Sequence, residues 1–469
     1  MRPEENPKLV SEVKRFRELW IGDDRFRKAV LDDPVAAAAS LDMSINPAPL
    51  DFLWKGSEPP VHHDSPEARA LGRIFKNSNE YLSLCDSDEG AIKPYRTWRA
   101  RQRARAMFAL GHVIGPMALH LPFVVELTRG CSVGCWFCGL SAVPLQGILE
   151  TDLVSWKAML EKLHGIFGAS GVRGALYSAT DPLDHPDYED HGKVFRQVFG
   201  RFPATTTAMA LTDLDRTRRL MRVAQENDCL SLRFSVTSRY ALDTLYTTFS
   251  AEELVDIDLV LVNRESLWGL AQAGRARTAA QQRPGRAERE KDKLKTLAAP
   301  EGDTPEHNTI CCVTGFQIDS VQRRIELVSM EPCTERWPNG YAVLDTAQYS
   351  DVEDFGRALE QLVDRNMGPE LPEQLALQWG VTLQAEGKSR VRAAARGHKT
   401  DFFSKGRDLE HLIGLAEAFR HGANVDQTAQ RVARQFNKRP ETVHNDIETM
   451  WQEGVLIEPV FAYSEENPE

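Results

Sequence analysis

The sequence predicts an α/β fold: a parallel sheet or barrel at the centre, with helical parts before and after it. Three observations carry this. Between residues 121 and 265, short apolar runs alternate with amphipathic stretches, which is the pattern of repeated βαβ units. Residues 1–115 and 351–469 instead show apolar side chains at helical spacing. The 469-residue chain is too long for one ordinary domain, and its 42% apolar and 27% charged residues are a globular balance.

Taken in order, the N-terminal part opens with VKRFRELW and FRKAVLDDPVAAAASL, both helical in spacing, with Pro34 starting a fresh turn. Tyr95 to Met107 holds Arg96, Arg99, Arg101, Arg103 and Arg105, and reads as a solvated helix face. The central part then alternates. FVVELT is strand-like, Asp152 to Phe167 helical, GALYSAT strand-like and Tyr188 to Phe199 helical. ATTTAMAL, SLRFSVTS and DLVLVN are further strands, with helices expected over Leu214 to Asn227 and from Ala251 to Leu254. Residues 274–307 have few large apolar groups and much charge, so a mobile insertion within a central domain of 116–350 is expected. ICCVTGFQID and RRIELVSM lie close enough to pair as a hairpin. In the C-terminal part, Asp408 to Phe419 is amphipathic, and the run to Pro459 reads helix, turn, helix, strand; residues 409–459 thus resemble a small winged helix.

Charge and hydropathy exclude several classes. Fifty-seven basic against 68 acidic residues, a net charge of −11, give no footprint for general nucleic-acid binding. No long uncharged apolar run reads as a membrane span; Met107 to Leu127 is interrupted by His112, Pro116, His120, Pro122 and Glu126. The opening MRPEENPKLVSEVKRF is too charged for a signal peptide, so a cytoplasmic setting is expected. Eight cysteines are few for this length and argue against a disulfide framework.

Three of those cysteines fall within eight residues, Cys131, Cys135 and Cys138, directly after a predicted strand and punctuated by Gly130 and Gly134. Three thiolates so close suit three irons of a [4Fe–4S] cluster and leave the fourth iron without a protein ligand. A closed structural zinc site would need four donors, usually in two spaced pairs, and no second CxxC exists.

This CxxxCxxC, with Phe137 just before the last cysteine, resembles the radical S-adenosylmethionine (SAM) enzymes. The resemblance implies a partial (β/α)6 barrel with the cluster loop after its first strand. SAM would chelate the open iron and yield, after one electron from a donor such as a flavodoxin or ferredoxin, a hydrogen-abstracting 5′-deoxyadenosyl radical. Members usually carry a GGE-type turn after the second strand; here that place reads Ser178-Ala179-Thr180-Asp181-Pro182, a departure. Ala179, Thr180 and Asp181 are nonetheless expected to meet the SAM ammonium, and Thr207, Arg233 and Ser235 on the next strands its ribose or carboxylate.

A narrower resemblance rests on ELTRGCSVGCWFCGLSA, ATDPLDHPDYE, TTTAMALTDLDRTR, LRFSV and EPCTERWPNGY. These are similar to the epimerases that convert L- to D-residues in ribosomally made precursor peptides, as in proteusin biosynthesis. The chemistry makes one demand. A planar Cα radical must receive a hydrogen atom on its opposite face, and a thiol, with its weak S–H bond, is suited to give it. Outside the cluster, Cys85 and Cys229 read as packing residues, while Cys311 and Cys312 alternate on a strand-like run. Cys333, in a loop beside Arg336, is expected to be exposed and reactive, and it matches the hydrogen donor of the resembling family; Cys312 is the reserve.

The expected partner is a precursor peptide with its leader, held by the winged-helix-like segment through strand pairing or simply capped by it. Five basic against eight acidic residues from Leu409 to Glu458 disfavour DNA there. Two other readings stand beside epimerisation: peptide crosslinking on the same cluster, and a non-catalytic metal-bearing peptide binder.

Overall fold

The computed structural model describes residues 6–56, 65–74, 88–268, 273–282, 309–404 and 409–462. Cys85 and residues 283–307 of the expected insertion lie outside them. The fold is mixed α/β, and its centre holds a four-stranded mixed sheet and a three-stranded parallel one.

Strand β1 (Leu121–Glu126) is buried on both faces, as a parallel strand covered by helices must be. Phe123 and Val125 point to an outer helical layer, where Phe123 meets Phe167, Phe199 and Phe195 at ring-centroid distances of 5.2, 5.7 and 6.4 Å. Val124 faces the opposite, inner side with Ala175, Ala204 and Val313. Strands β2 (Thr205–Thr207), β3 (Leu232–Val236) and β4 (Ile257–Leu261) run parallel in that order. Helices Leu153–Phe167, Tyr188–Phe199 and Leu214–Glu226 form where the periodicity predicts them.

Two expectations change here. GALYSAT forms no strand: Ala175 makes a single parallel bridge to Val124, and the chain then bends. The Glu126 carboxylate takes over from the missing ladder by accepting the Ala179 N–H at 2.7 Å. Ala251 to Leu254 is a turn; the helix lies earlier, Arg239–Thr248, capped by Ser238.

Strand β5 (Val313–Asp319) pairs parallel with β1, then turns back into an antiparallel hairpin with β6 (Arg324–Met330), followed by β7 (Tyr341–Gln348). The last parallel strand therefore joins the first, and among the described residues it has no pairing with β4. β5 thus lies between β1 and β6 with both edges paired, and β2, β3 and β4 form a separate sheet. Cys311 and Cys312 precede β5 rather than alternating within it.

The arginine-rich stretch departs most from expectation. Helix Lys93–Ile114 buries Arg99, Arg101 and Arg105 instead of presenting a solvated face. Arg105 pairs with Glu331, donates to Ser329 Oγ at 3.0 Å and Met330 O at 2.6 Å, and stacks 3.8 Å over Phe461. Arg99 pairs with Asp88 at 2.8 Å and donates to His120 O; Arg101 lies 4.0 Å over Trp451. Alternating apolar and basic residues read as solvated only while no partner is known, and here the partners lie outside the helix, 11 residues away for Asp88 and 226 for Glu331.

The C-terminal part is not purely helical as expected. Helices Val352–Asn366, His411–Ala418, Val425–Gln435 and Pro440–Gln452 are joined by a three-stranded meander over Thr382–Ala385, Arg390–Ala395 and His398–Phe403. Strand Gln374–Leu377 further pairs with Ala423–Asn424 and Leu456–Ile457. Among the described residues no helix is long and apolar enough to cross a membrane.

Breaking a buried pair leaves an uncompensated charge, so Glu331→Ala is expected to lower stability by about 3 kcal/mol or more. Replacing both partners with apolar residues, Arg105→Met with Glu331→Leu, should restore most of it, as read by urea unfolding. Equal loss in the single and double variants would show that the pair is not the cause.

Candidate functional site

The cysteine loop leaves β1 through a two-residue ladder, Thr128–Arg129 against Gly147–Ile148. Gly130 permits the exit: its φ of +82° favours glycine, and a Cβ there would stand 2.4 Å from Pro144 O. The loop closes on itself through Cys131 N–H to Val143 O at 2.9 Å and Ser141 N–H to Cys138 O at 3.2 Å. Asp184 holds it from outside by accepting the Ser132 N–H at 2.9 Å.

Cys131, Cys135 and Cys138 are all half-buried and unpaired. Backbone N–H groups face two of the sulfurs: Val133 and Gly134 at Cys131, and Ala142 at Cys138 at 3.4 Å. Burial pushes the Cys131 thiol up to about 11 and the Cys135 thiol upward as well. Among the described residues no three His, Cys, Asp or Glu side chains close round a single ion.

The 178–182 turn is drawn in beside the loop. Asp181 accepts Thr207 Oγ1 at 2.8 Å, Leu183 N–H at 3.0 Å and Ala208 N–H at 2.7 Å, so its carboxylate braces the turn against the end of β2. Thr180 is half-buried next to it, and Ala179 N–H is committed to Glu126. Thr207 shares a side of β2 with Thr205, which bonds Tyr188; strand alternation turns Thr206 the other way. Thr206 meets Tyr177 hydroxyl to hydroxyl at 2.8 Å, and Arg233 donates to that Tyr177 oxygen at 3.0 Å. Ser235 is half-buried two residues along β3, on the Arg233 side.

Thr206 lies on the threonine strand that the resemblance places at the cofactor, but Tyr177 and Glu126 are not among the expected site residues. Glu126 carried a signal, since it closes a strand whose other residues are apolar or proline. Tyr177 carried none, because its meeting with Thr206 depends on how two separate segments align.

The thiols also sort differently from expectation. Cys333 is 4% exposed, not exposed and reactive. Ile310 N–H and the Thr309 hydroxyl lie against its sulfur, and burial pushes it up to about 11. Its neighbouring cation is Arg277, which donates to Cys333 O at 2.9 Å; Arg336 turns away to Ala462 O and Val460 O. The loop proline and arginine suggested a surface thiol, but the helix from Gly274 packs over it. That helix touches both regions: Arg275 N–H donates to Cys138 O at 3.0 Å and Gly274 N–H to Pro338 O at 2.9 Å. Cys311 is buried, and Cys229 donates to Pro203 O at 3.3 Å, a packing role as expected. Cys312 is exposed, yet enough protein surrounds it to push its thiol upward, with Arg233 acting against that shift.

No family model matches the chain. The uncharacterized protein y4wI of Sinorhizobium fredii is 31% identical over 389 residues, 79% of this chain and 74% of that protein. The crystal structure of BtrN in complex with AdoMet and 2-DOIA aligns at 17% identity with a TM-score of 0.23, over 30% of this chain and 56% of that one. A likeness that slight has no bearing on the fold.

Burial lifts the Glu126 carboxyl from 4.5 to about 7, against the pull of the Ala179 N–H. A raised acid binds its proton more tightly in the folded state, so folding is favoured at low pH and stability falls as pH rises from about 4.5 to about 7. Glu126→Gln keeps an acceptor for Ala179 but cannot ionise. Relative to the wild type it should gain up to about 3 kcal/mol between pH 5 and pH 8 in urea unfolding. A parallel pH dependence in both proteins would rule this out.

Proposed function

We propose a radical SAM peptide epimerase for this chain, which belongs to the family of the Sinorhizobium fredii protein y4wI. One observation carries the reading: three half-buried, unpaired cysteines at i, i+4 and i+7 on one glycine-hinged loop, with backbone N–H groups turned toward their sulfurs. N–H donors suit thiolates that must stay charged in a partly buried place. A single tetrahedral ion wants four donors, and the loop carries three cysteines. Three thiols without a fourth suit a [4Fe–4S] cluster held by Cys131, Cys135 and Cys138. With SAM and one electron from a flavodoxin- or ferredoxin-like donor, such a cluster supplies a 5′-deoxyadenosyl radical able to take an unactivated hydrogen.

The chain's own residues then have defined tasks. Asp181, saturated by three donors, holds the 178–182 turn rigid, so that Ala179 and Thr180 are left to meet the cofactor through their carbonyls. Thr207 completes that brace. Arg233 and Ser235 offer a cation and a hydroxyl from β3 to the SAM carboxylate or ribose. A thiol on the inner side returns a hydrogen to the peptide Cα from the face opposite abstraction, converting an L- to a D-residue. The C-terminal helices and short strands are the place for the precursor's leader, held as an added strand.

Anaerobic reconstitution with iron and sulfide is expected to load about four irons per chain and to permit SAM cleavage to 5′-deoxyadenosine. Cys131→Ala, Cys135→Ala and Cys138→Ala should each lose both. In deuterated water, a candidate precursor peptide should gain one deuterium per inverted residue, with no mass change in light water. Loss of mass would mean crosslinking and sink the epimerase reading; a chain that never loads iron would sink the radical one.

A further inference from the structure

A cluster held by three cysteines does its work only once reduced, and the charges nearest those cysteines set how readily that happens. The turn over residues 183–186 meets the cysteine loop from outside. We infer that this turn clamps the loop, that Asp184 is the positioning residue whose charge tunes its reduction, and that Arg216 acts through Asp184. This rests on the cluster reading above.

First, the turn holds the loop on both of its arms. Asp184 Oδ2 accepts the Ser132 N–H at 2.9 Å, one residue after Cys131, where the loop has just left its ladder. The next residue, His185, takes the other arm. Its Nδ1 accepts the Asp187 N–H at 3.1 Å, which leaves the Nε2–H to donate to Leu149 O at 3.1 Å. Leu149 directly follows the returning strand Gly147–Ile148 and itself donates to Leu127 O at 2.8 Å. Two consecutive side chains of one turn thus reach the outgoing and the returning arm.

Second, Arg216 fixes that turn. From helix Leu214–Glu226 its guanidinium donates to Leu183 O at 2.8 Å, to His185 O, and to Pro186 O at 3.1 Å, carbonyls that flank Asp184. Glu189, itself buried, pairs with the guanidinium at 3.2 Å and holds the plane of the fork. Asp213 accepts the Arg216 N–H at 3.0 Å, so the base of the side chain is anchored too. From the other side Asp181 accepts the Leu183 N–H at 3.0 Å. A fork spent on three carbonyls of a single turn governs where Asp184 points. The compact ammonium of a lysine lacks that fork.

Third, the charge on Asp184 bears on the cysteines. The carboxylate is half-buried and, among the described residues, paired with no cation. A negative charge placed beside Cys131 opposes the further negative charge that reduction adds to the cluster. The same group therefore seats the loop and lowers its reduction potential. At the far end of the motif, Arg275 N–H donates to Cys138 O at 3.0 Å, so both ends of the three-cysteine run are held.

The test uses the reconstituted full chain, with iron content measured and the midpoint potential read by a redox titration followed by EPR. Asp184→Asn keeps an acceptor for Ser132 and drops the charge. It should load iron as the wild type does and favour the reduced form about threefold more, about 28 mV at 59 mV per tenfold for one electron. Arg216→Lys should give a smaller shift of the same sign, and combined with Asp184→Asn it should add nothing further. An unchanged potential in Asp184→Asn overturns the assignment, as do loss of iron from that variant and fully additive shifts in the double variant. Should Arg216→Lys fail to fold in a urea titration, Asp184→Asn alone decides. A wild-type chain that loads no iron fails the underlying reading instead, and that control tells the two failures apart.

Discussion

The buried guanidinium of Arg105 is the constraint on which the arrangement depends. It stands on helix Lys93–Ile114 and reaches Glu331, Ser329 and the Met330 carbonyl at the end of β6, with Phe461 stacked on its face. One side chain thereby ties the N-terminal helices, the β5–β6 hairpin and the C-terminal segment together. Glu331 is two residues before Cys333, so the same pair sets where the loop carrying that thiol can lie. Burying such a pair seldom adds much net stability, because desolvation cancels most of the attraction. What it does here is reject alternatives: any packing that separates helix from hairpin strands a charge in the interior.

The sheet adds a second constraint. Because β5 is paired with β1 on one edge and β6 on the other, the chain that leaves β4 has to pass from the three-stranded sheet to the four-stranded one. The helix from Gly274 and the segment from Thr309 to Cys312 belong to that crossing, and both contact the cysteine loop. The loop therefore belongs to the same wall as the thiols. The N-terminal helix Pro7–Gly22 guards the other exposed strand: Leu259 N–H reaches Glu18, and Asn263 donates to Gly22 O at 2.8 Å.

Particular residues show how far the sequence could be read. FVVELT, LRFSV and DLVLVN announce strands through β-branched and aromatic runs, and the helices capped by Asp152 and Asp213 lie where the periodicity places them, whereas the one capped by Ser238 does not. GALYSAT has the same local look as those strands but fails, because its place beside β1 is taken after one bridge by the Glu126 side chain. Arg99, Arg101 and Arg105 look like any solvated arginines until Asp88, Trp451 and Glu331 are brought to them. Cys333 looks exposed until the helix from Gly274 covers its loop.

The sequence by itself determined the cysteine loop, its spacing and its glycine hinge, because all of these are local: eight residues and the glycine before them contain the whole pattern. It also determined most helices and strands, whose periodicity is a property of each segment alone. Only the tertiary structure decided how the strands divide between two sheets, which arginines are buried, and which of three neighbouring thiols is exposed. Those outcomes are set by meetings between residues 11 positions apart for Arg99 and Asp88, 56 for Arg277 and Cys333, and 226 for Arg105 and Glu331, and no local pattern records the free energy of such a meeting.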